Sequence, residues 1–472
     1  MTAPVLRTQL SEDERTMISR MNAKLSRTSQ KDNLNEAYFE GEHRLKQIGI
    51  AVPPELQMFE LVVNWNRMYL LEIARRQKIK SLMMPGGKKK QNRALQEGYE
   101  VNNLSAQVPL LNVDTMIFGR CFGTVGTNAD DKDHPRIAFE SPRQMSCLID
   151  TGRRRMDAAF RQFLTEDGQR VGTLLLPDKT IQVVAGRRGW EIDKVGGDDD
   201  IDEHDLGRVP VVMFLNRQRL ARWDGTTEMA DLIPLVDAAA RALTNLQIAV
   251  ETHSVPQKWV LGMSKGDFVD SNGRPIPVWQ AYYTAIWANK AKPDEVKVGQ
   301  FSPSDLKNFH DTTNHYAALA SSVTGLPFRF FGQNTANPAA EGAIRADESR
   351  LISNAEDKNE SQGVGIGWLM ALYERFRTGQ WPAGNRAIRV EWRNPATPTK
   401  AEEADFIQKL NGGTPVLSRE GSWDEMGWDD PRKDRERAYF EEEAQDPLLE
   451  RLTRPLNTDT GTRTNDAANS IG

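Results

Sequence analysis

Apolar residues recur at helical spacing over much of the chain. In Leu306–Val323 apolar or small residues fall at Leu306, Phe309, Thr313, Tyr316, Ala320 and Val323, steps of three and four that keep one face of a helix apolar. Ser302 is the expected N-cap of this helix, with Pro303 and Asp305 in its first turn and Thr324-Gly325 as its stop. A second stripe, Leu232, Val236, Ala239, Leu243, Leu246 and Val250, alternates steps of four and three and predicts a helix over Thr226–His253, with Pro234 tolerated in its first turns. Between the two lie about 45 residues punctuated by Gly and Pro, with Trp279, Tyr282, Tyr283 and Trp287. The two helices are expected to pair antiparallel. Their small residues, Ala238–Ala240, Ala317, Ala318 and Ala320, are expected to face neighbouring chains as well.

Elsewhere the period changes. Ser11-Glu-Asp-Glu14 reads as a cap leading into Met17, Ile18, Met21 and Leu25, and further helices are expected over Asp32–Ile48, Phe59–Ile79, Gln91–Asn103 and Ser105–Phe118. From Cys121 short alternating runs replace them: Arg136–Glu140, Met156–Leu164, Val171–Leu176, Thr180–Ala185, Gly189–Val195 and Val209–Leu215, separated by turn residues. This predicts a compact antiparallel β insertion. After Pro338 a long helix runs as far as Phe376, followed by a strand over Ala387–Trp392. Helices at Lys400–Leu410, from Ser418 toward Met426 and at Lys433–Glu443 come next, and then a tail expected to be disordered.

Composition narrows the class. The 472 residues exceed one compact core, and 39 % hydrophobic with 27 % charged residues describes a foldable chain. Net charge is −5, from 61 basic and 66 acidic residues, which argues against tight phosphate-neutralising DNA binding but does not exclude a passage through which DNA slides, where strong attraction would hinder. Two cysteines, Cys121 and Cys147, make a disulfide framework unexpected. No apolar run reaches the roughly 18 residues of a membrane span, no signal peptide is evident, and a cytoplasmic site of synthesis is expected.

Candidate chemistry is sparse. The basic cluster around Lys88–Lys90 lacks the first glycine of a phosphate-cradling loop, where Leu82 stands, and reads as a solvated turn. Gly363, Gly365 and Gly367 lie in a helix with no strand before them, unlike a dinucleotide motif. The acidic run Asp198–Asp205 lacks the glycine and terminal glutamate of a calcium loop and reads as a hairpin tip. The six histidines show no zinc spacing, and no serine-nucleophile elbow occurs. No catalytic residue, metal ligand or cofactor is therefore expected. Gln333, Asn334, Thr335 and Asn337 differ: amide and hydroxyl groups can contact phosphates or water without full charge, a weak and sequence-blind contact.

One resemblance ties these pieces together. GLPFRFFG followed by NPAAEGAIRADESRL resembles the late segment of phage portal proteins (SPP1-type, in the branch common among phages of actinobacteria). There a TGLP stretch leads to an asparagine-rich loop, NP, a small-residue pair and an AIR or ALR helix start. Tyr38–Leu56, Val62–Tyr69, Val209–Arg217 and Leu243–Gly262 resemble the family in the same order, over nearly the whole chain. The resemblance implies an α+β portal-protein fold, mainly helical, with the β insertion in the wing, a long-helix stem and a small α/β clip. The wing would be residues 1–225, the stem 226–254 and 302–325, the clip 255–301, the tunnel loop 326–337 and the crown 399–450. Residues 338–398 would form a long kinked helix and a wing strand.

The family's function is a ring, typically a dodecamer, at one capsid vertex in the virion, assembled in the host bacterial cytoplasm. Double-stranded DNA is packaged through its channel by the large terminase subunit and later ejected, and the ring serves as head–tail connector. Implied partners are the major capsid protein, scaffold and head–tail adaptor, with no membrane. Gln333, Asn334, Thr335 and Asn337 would line the channel; Phe328, Phe330, Phe331 and Pro338 would anchor that loop; and Trp279, Tyr282, Tyr283 and Trp287 would dock the clip's partners. The alternatives are a scaffold or minor head protein enclosing no channel, and an enzyme acting on phage DNA.

Overall fold

The computed structural model describes residues 9–43, 61–84, 89–128, 130–187, 189–195, 198–220, 222–253, 258–262, 274, 297–300, 306–332, 341–381, 388–396, 400–428 and 430–444. The chain divides into two compact units, Met1–Ala396 and Thr397–Gly472.

Helix α1 (Glu12–Glu40) opens on a complete capping box. Ser11 Oγ accepts from the Glu14 N–H at 3.2 Å, and the Glu14 carboxylate accepts from the Ser11 N–H at 2.7 Å. The separate helix expected from Asp32 is instead the last third of α1, which closes at Gly41. Asp32 does not break the helix because it is buried and bonded to Arg120 at 2.8 Å, so its carboxylate has no call on nearby backbone. Helix α2 (Trp65–Ala74) is shorter than expected. Ile79, the expected end of that helix, instead opens strand β1 (Ile79–Met83), paired antiparallel with β15 (Arg389–Trp392) over 300 residues away. Helices α3 (Lys89–Val101) and α4 (Leu104–Phe118) follow.

The β insertion is two antiparallel sheets. One joins β2 (Arg120–Gly126), β3 (Arg136–Glu140) and β12 (Val211–Leu215) in the order β12-β2-β3. The other runs β11-β7-β6-β5-β4, with β8 also on β7; its strands are β4 (Met145–Asp150), β5 (Arg155–Leu164), β6 (Arg170–Leu175), β7 (Lys179–Gly186), β8 (Gly189–Ile192) and β11 (Ile201–Glu203). Strand β4 escapes the alternation rule because Met145, Ser146 and Cys147 are all buried; Ser146 donates to the Met21 carbonyl of α1 at 2.8 Å. The acidic run is hairpin: β10 (Asp198–Asp199) pairs with β9 (Lys194–Val195), and β11 with β7. Ile18 and Met21 of α1 pack on Phe160, Leu174, Ile181 and Val183 of this sheet.

A 3-10 turn (Glu228–Asp231), capped by Thr227, precedes helix α5 (Ile233–His253), so the predicted helix starts late. Strands β13 (Lys258–Leu261) and β14 (Lys297–Gln300) pair antiparallel, and helix α6 (Lys307–Thr324) returns along α5. The expected Ser302 cap lies outside the described residues; α6 starts from Leu306 with no side-chain cap bond. Ala239, Ala240, Ala317 and Ala320 are buried within this one chain, so they are not free for a neighbour as expected, whereas Ala318 is exposed.

Helix α7 (Glu341–Thr378) threads two cores: Leu351 sits with Leu70, Ile73, Val236 and Ala320, and Ile366–Tyr373 sits with Leu95, Leu111, Val125 and Phe214. Of Gly363, Gly365 and Gly367, the last two have a clear packing reason. A Cβ on Gly365 would lie 2.4 Å from the Phe214 ring, and one on Gly367 2.5 Å from the Ile388 carbonyl, so the helix lies directly on β12 and on the chain entering β15. Both cysteines are free and buried, and burial pushes the Cys147 thiol up to about 11. No helix among the described residues is long and apolar enough to cross a membrane.

In the second unit are α8 (Lys400–Asn411), α9 (Arg419–Glu425) and α10 (Asp430–Ala444). Ser418 caps α9 through the Gly421 N–H at 3.0 Å. Trp423 stacks between Trp428 and Phe440, with Arg432 over Trp428 at 4.2 Å and Arg419 over Phe440 at 4.1 Å.

Candidate functional site

The amide-rich loop leaves from the end of α6, and the described residues show how that end is built. Thr324 Oγ1 donates to the Ala320 carbonyl at 2.7 Å and accepts from the Leu326 N–H at 3.2 Å, while Ser321 Oγ donates to the Leu326 carbonyl at 2.6 Å. Gly325 takes φ +73°, a left-handed conformation that L side chains rarely adopt, and lies against Arg350. Pro327 then leads into a 3-10 turn over Phe328–Phe331.

Those aromatics fasten the turn. Phe331 is buried, edge-on to Trp65 at 5.2 Å, while Phe328 and Phe330 are half-buried against the same core. Between them Arg329 bonds Asp347 at 2.8 Å and also Glu348, both on α7. The other Glu348 oxygen accepts from Arg76 at 3.2 Å, and Arg76 is itself bonded to Glu72 at 3.0 Å. The loop's departure point is thereby clamped to α7 and α2. Bonds to charged groups are worth about 1.5–3 kcal/mol when part-buried, as Glu348 and Arg76 are.

Gln333, Asn334, Thr335, Asn337 and Pro338 lie outside the described residues, as do Trp279, Tyr282, Tyr283 and Trp287. Of the strands framing the latter group, β13 and β14 are held close by Gly299, where a Cβ would meet the Trp259 ring at 2.3 Å.

Beside the end of α6 opens a polar groove of about 600 Å³, lined by Val323, Gly325, Arg350, Asn354, Gln362 and Asn216 among others. Its floor is a network that the sequence did not bring to attention. Glu228, 3 % exposed, accepts from Lys358 at 2.7 Å, from Asn216 at 3.0 Å and from Tyr69 at 2.9 Å. Lys358 also reaches Asn216 at 2.8 Å, Asn354 donates to the Tyr69 oxygen at 3.1 Å, and Arg217 stands 3.4 Å from Glu228. Burial alone would raise the Glu228 carboxyl, but Lys358, Arg217 and Asn216 outweigh it and hold it below the usual range. Burial and the Glu228 charge push the Tyr69 phenol far up.

The carboxylate thus stays charged, fully bonded and unavailable as a base, while the phenol stays protonated. What the cluster does is join the β12 end, the 3-10 turn, α2 and α7 at one point. The signal was present: Asn354, Lys358 and Gln362 interrupt the face of α7 that Leu351 and Ala355 begin. Among the described residues no group of three or more His, Cys, Asp or Glu side chains could hold a metal ion.

A family model described as "Phage portal protein, SPP1 Gp6-like" matches residues 22–448. Two curated relatives, each named "Portal protein", come from Mycobacterium phage L5 and Mycobacterium phage D29. Both are 31 % identical, over 458 and 455 residues, covering 94 % of this chain and 92 % of each relative. Among solved structures, a chain from "Virion of native gene transfer agent (GTA) particle" is 14 % identical with a TM-score of 0.42, covering 83 % of this chain and 96 % of that one. A chain from "Neck of native GTA particle computed with C12 symmetry" is 14 % identical with a TM-score of 0.40, covering 80 % and 91 %.

Proposed function

Since the chain belongs to the SPP1 Gp6-like family of phage portal proteins, the head–tail connectors of the virion, we propose how this sequence builds that connector. Copies close into a ring, a dodecamer in the family's usual form, around a channel for double-stranded DNA. Residues 1–225 form the wing, α5 and α6 the stem, 255–301 the clip, 326–337 the tunnel loop and 399–450 the crown. Gln333, Asn334, Thr335 and Asn337 face the DNA, on a base anchored by Phe328, Phe330, Phe331 and Pro338. Trp279, Tyr282, Tyr283 and Trp287 present the clip first to the large terminase subunit and then to the head–tail adaptor, while the wing meets capsid protein and scaffold. The rings assemble in the host cytoplasm, and the packaging ATPase is the partner's.

The observation that carries this reading is the clamp of Arg329 on Asp347 and Glu348. It fixes the point from which the loop departs, so that neutral amides beyond it meet a moving polyanion from a rigid base. Such contacts guide DNA without gripping it, because no full positive charge has to be released at each step. Replacing residues 333–337 with glycines is expected to leave rings intact by electron microscopy and native mass while lowering packaged DNA per capsid. Normal packaging by that variant would remove the loop from the mechanism. A wild-type protein that binds capsid protein but never encloses a channel would instead favour a scaffold or minor head component.

A further inference from the structure

A groove of about 890 Å³ runs beside helix α1 in the first unit. Leu25, Ser29, Asp32, Glu36 and Phe39 line it from α1, following one another by steps of four and three along one helical face. From Leu25 to Phe39 that face is about 21 Å long, at 1.5 Å per residue. Leu110, Val113, Asp114 and Ile117 of α4 and Leu71 of α2 line it as well. A trough of that length among helices has the shape that receives another helix.

Its chemistry is uneven. Phe39 and Ile117 are buried, whereas Leu110 stands 68 % exposed. Four carboxylates line the groove against one lining cation, Arg143. Three of them are satisfied: Asp32 by Arg120 at 2.8 Å, Glu36 by Arg143 at 2.6 Å and Glu40 by Arg67 at 3.0 Å. Asp114 differs. Among the described residues it has no ion pair and no hydrogen bond, and burial, then the Glu36 charge, pushes its carboxyl up to about 6.

A part-buried carboxylate with no cation weakens the fold, and groups of that kind concentrate where a site is built for a ligand. The ligand's charge follows. An acidic lining repels phosphate, which argues against nucleic acid and against an anionic lipid surface, while a base supplies what Asp114 lacks. Leu110 lies one helical turn before Asp114, so an apolar group belongs beside that base.

We propose that this groove docks a basic amphipathic helix of a different protein, whose Lys or Arg pairs with Asp114 and whose apolar side chains cover Leu110, Val113 and Leu71. The lining comes from a single copy, so the inference stands apart from the ring reading.

The test uses the full chain and a labelled synthetic helix of about 15 residues, leucine on one face and lysine on the other. Fluorescence anisotropy at pH 7.5 is expected to show binding, and the same helix with glutamate for lysine is expected to show none. Asp114→Asn is expected to weaken binding of the lysine helix at least about fivefold, the worth of one ion pair. That change removes a cost to the fold, so unfolding does not explain the loss. Leu110→Ser, at an exposed position, is expected to weaken binding at least about threefold. Glu360→Gln, exposed on α7 and outside the groove, is expected to leave it unchanged.

Acidity gives a separate readout. The wild type is expected to lose affinity as pH falls through about 6, where Asp114 takes up its proton, and the Asn variant to lose less. Asp32, Glu36, Glu40, Arg143 and Cys121 also stand near Asp114 but are common to both proteins, so the difference between them isolates Asp114. A glutamate helix that binds equally well, or an Asn variant with undiminished affinity and the same pH profile as the wild type, would overturn the proposal. So would binding seen only after native mass shows the rings to have come apart, since another copy would then fill the groove.

Discussion

Removing Lys358 should be among the most damaging single changes outside the apolar cores. Its ammonium makes two bonds, to Glu228 at 2.7 Å and to Asn216 at 2.8 Å, and Glu228 is 3 % exposed. In Lys358→Met the stem keeps its packing but the carboxylate keeps only Asn216, Tyr69 and the more distant Arg217 at 3.4 Å. Breaking a buried pair from one side costs about 3–5 kcal/mol, and the surviving partners place this case at the low end, about 3 kcal/mol. The pH dependence changes sign with the substitution. In the wild type the Glu228 carboxyl is held low, so its contribution is present above the ordinary glutamate range and lost as pH falls through the still lower folded value. Without Lys358 burial dominates, the folded value rises above the unfolded one, and the variant regains stability on acidification. The assay is urea unfolding at pH 7.5 and pH 5, for Lys358→Met, Glu228→Gln and the double variant. The double variant should recover at least about 1.5 kcal/mol relative to the sum of the singles. A loss below about 1 kcal/mol for Lys358→Met at pH 7.5, or strict additivity, would refute the view that this cluster joins α2, α7 and the β12 end.

Other outcomes follow from single contacts. Gly365→Leu drives a side chain into the Phe214 ring and should cost about 2 kcal/mol or more, partly relieved by Phe214→Ala in the same chain, as thermal melts would show. Asp114 lines a second groove, and burial first, then Glu36, pushes its carboxyl up to about 6. A raised folded value means stability present below the unfolded range near 3.8 and lost as pH rises through 6. Asp114→Asn should therefore gain up to about 2–3 kcal/mol at pH 8 and flatten the profile between pH 4 and 6. Arg329→Ala releases Asp347 and half of Glu348; it should cost about 1–2 kcal/mol and speed proteolytic cleavage between residues 332 and 341, measured by limited proteolysis and mass mapping.

The sequence by itself determined the features that depend on a few neighbouring residues. Ser11 and Ser418 are caps because a hydroxyl beside the free N–H groups of a helix start is bonded wherever the chain goes afterwards. Gly325 ends α6 because only glycine enters that conformation without strain. Strand β3 occupies the run Arg136–Glu140 that alternation predicts, α5 and α6 follow their stripes, and the GLPFRFFG–NPAAEGAIR stretch carried enough pattern to indicate the family.

Tertiary structure decided the rest, wherever a residue's role depends on a partner far along the chain. Ile79–Met83 is strand only because β15 offers it an edge, and no local period distinguishes that from one more turn of helix. Strand β4 is buried on both faces, which erases alternation. Asp32 stays helical because Arg120 takes its charge. Gly365 and Gly367 look like flexibility in one dimension; in three they are where the Phe214 ring and the Ile388 carbonyl touch the helix. Glu228 and Lys358 stand 130 positions apart, and each alone reads as surface charge. Local periodicity records which face of an element is apolar. Which faces meet, and which charges are buried together when they do, is set by the packed chain.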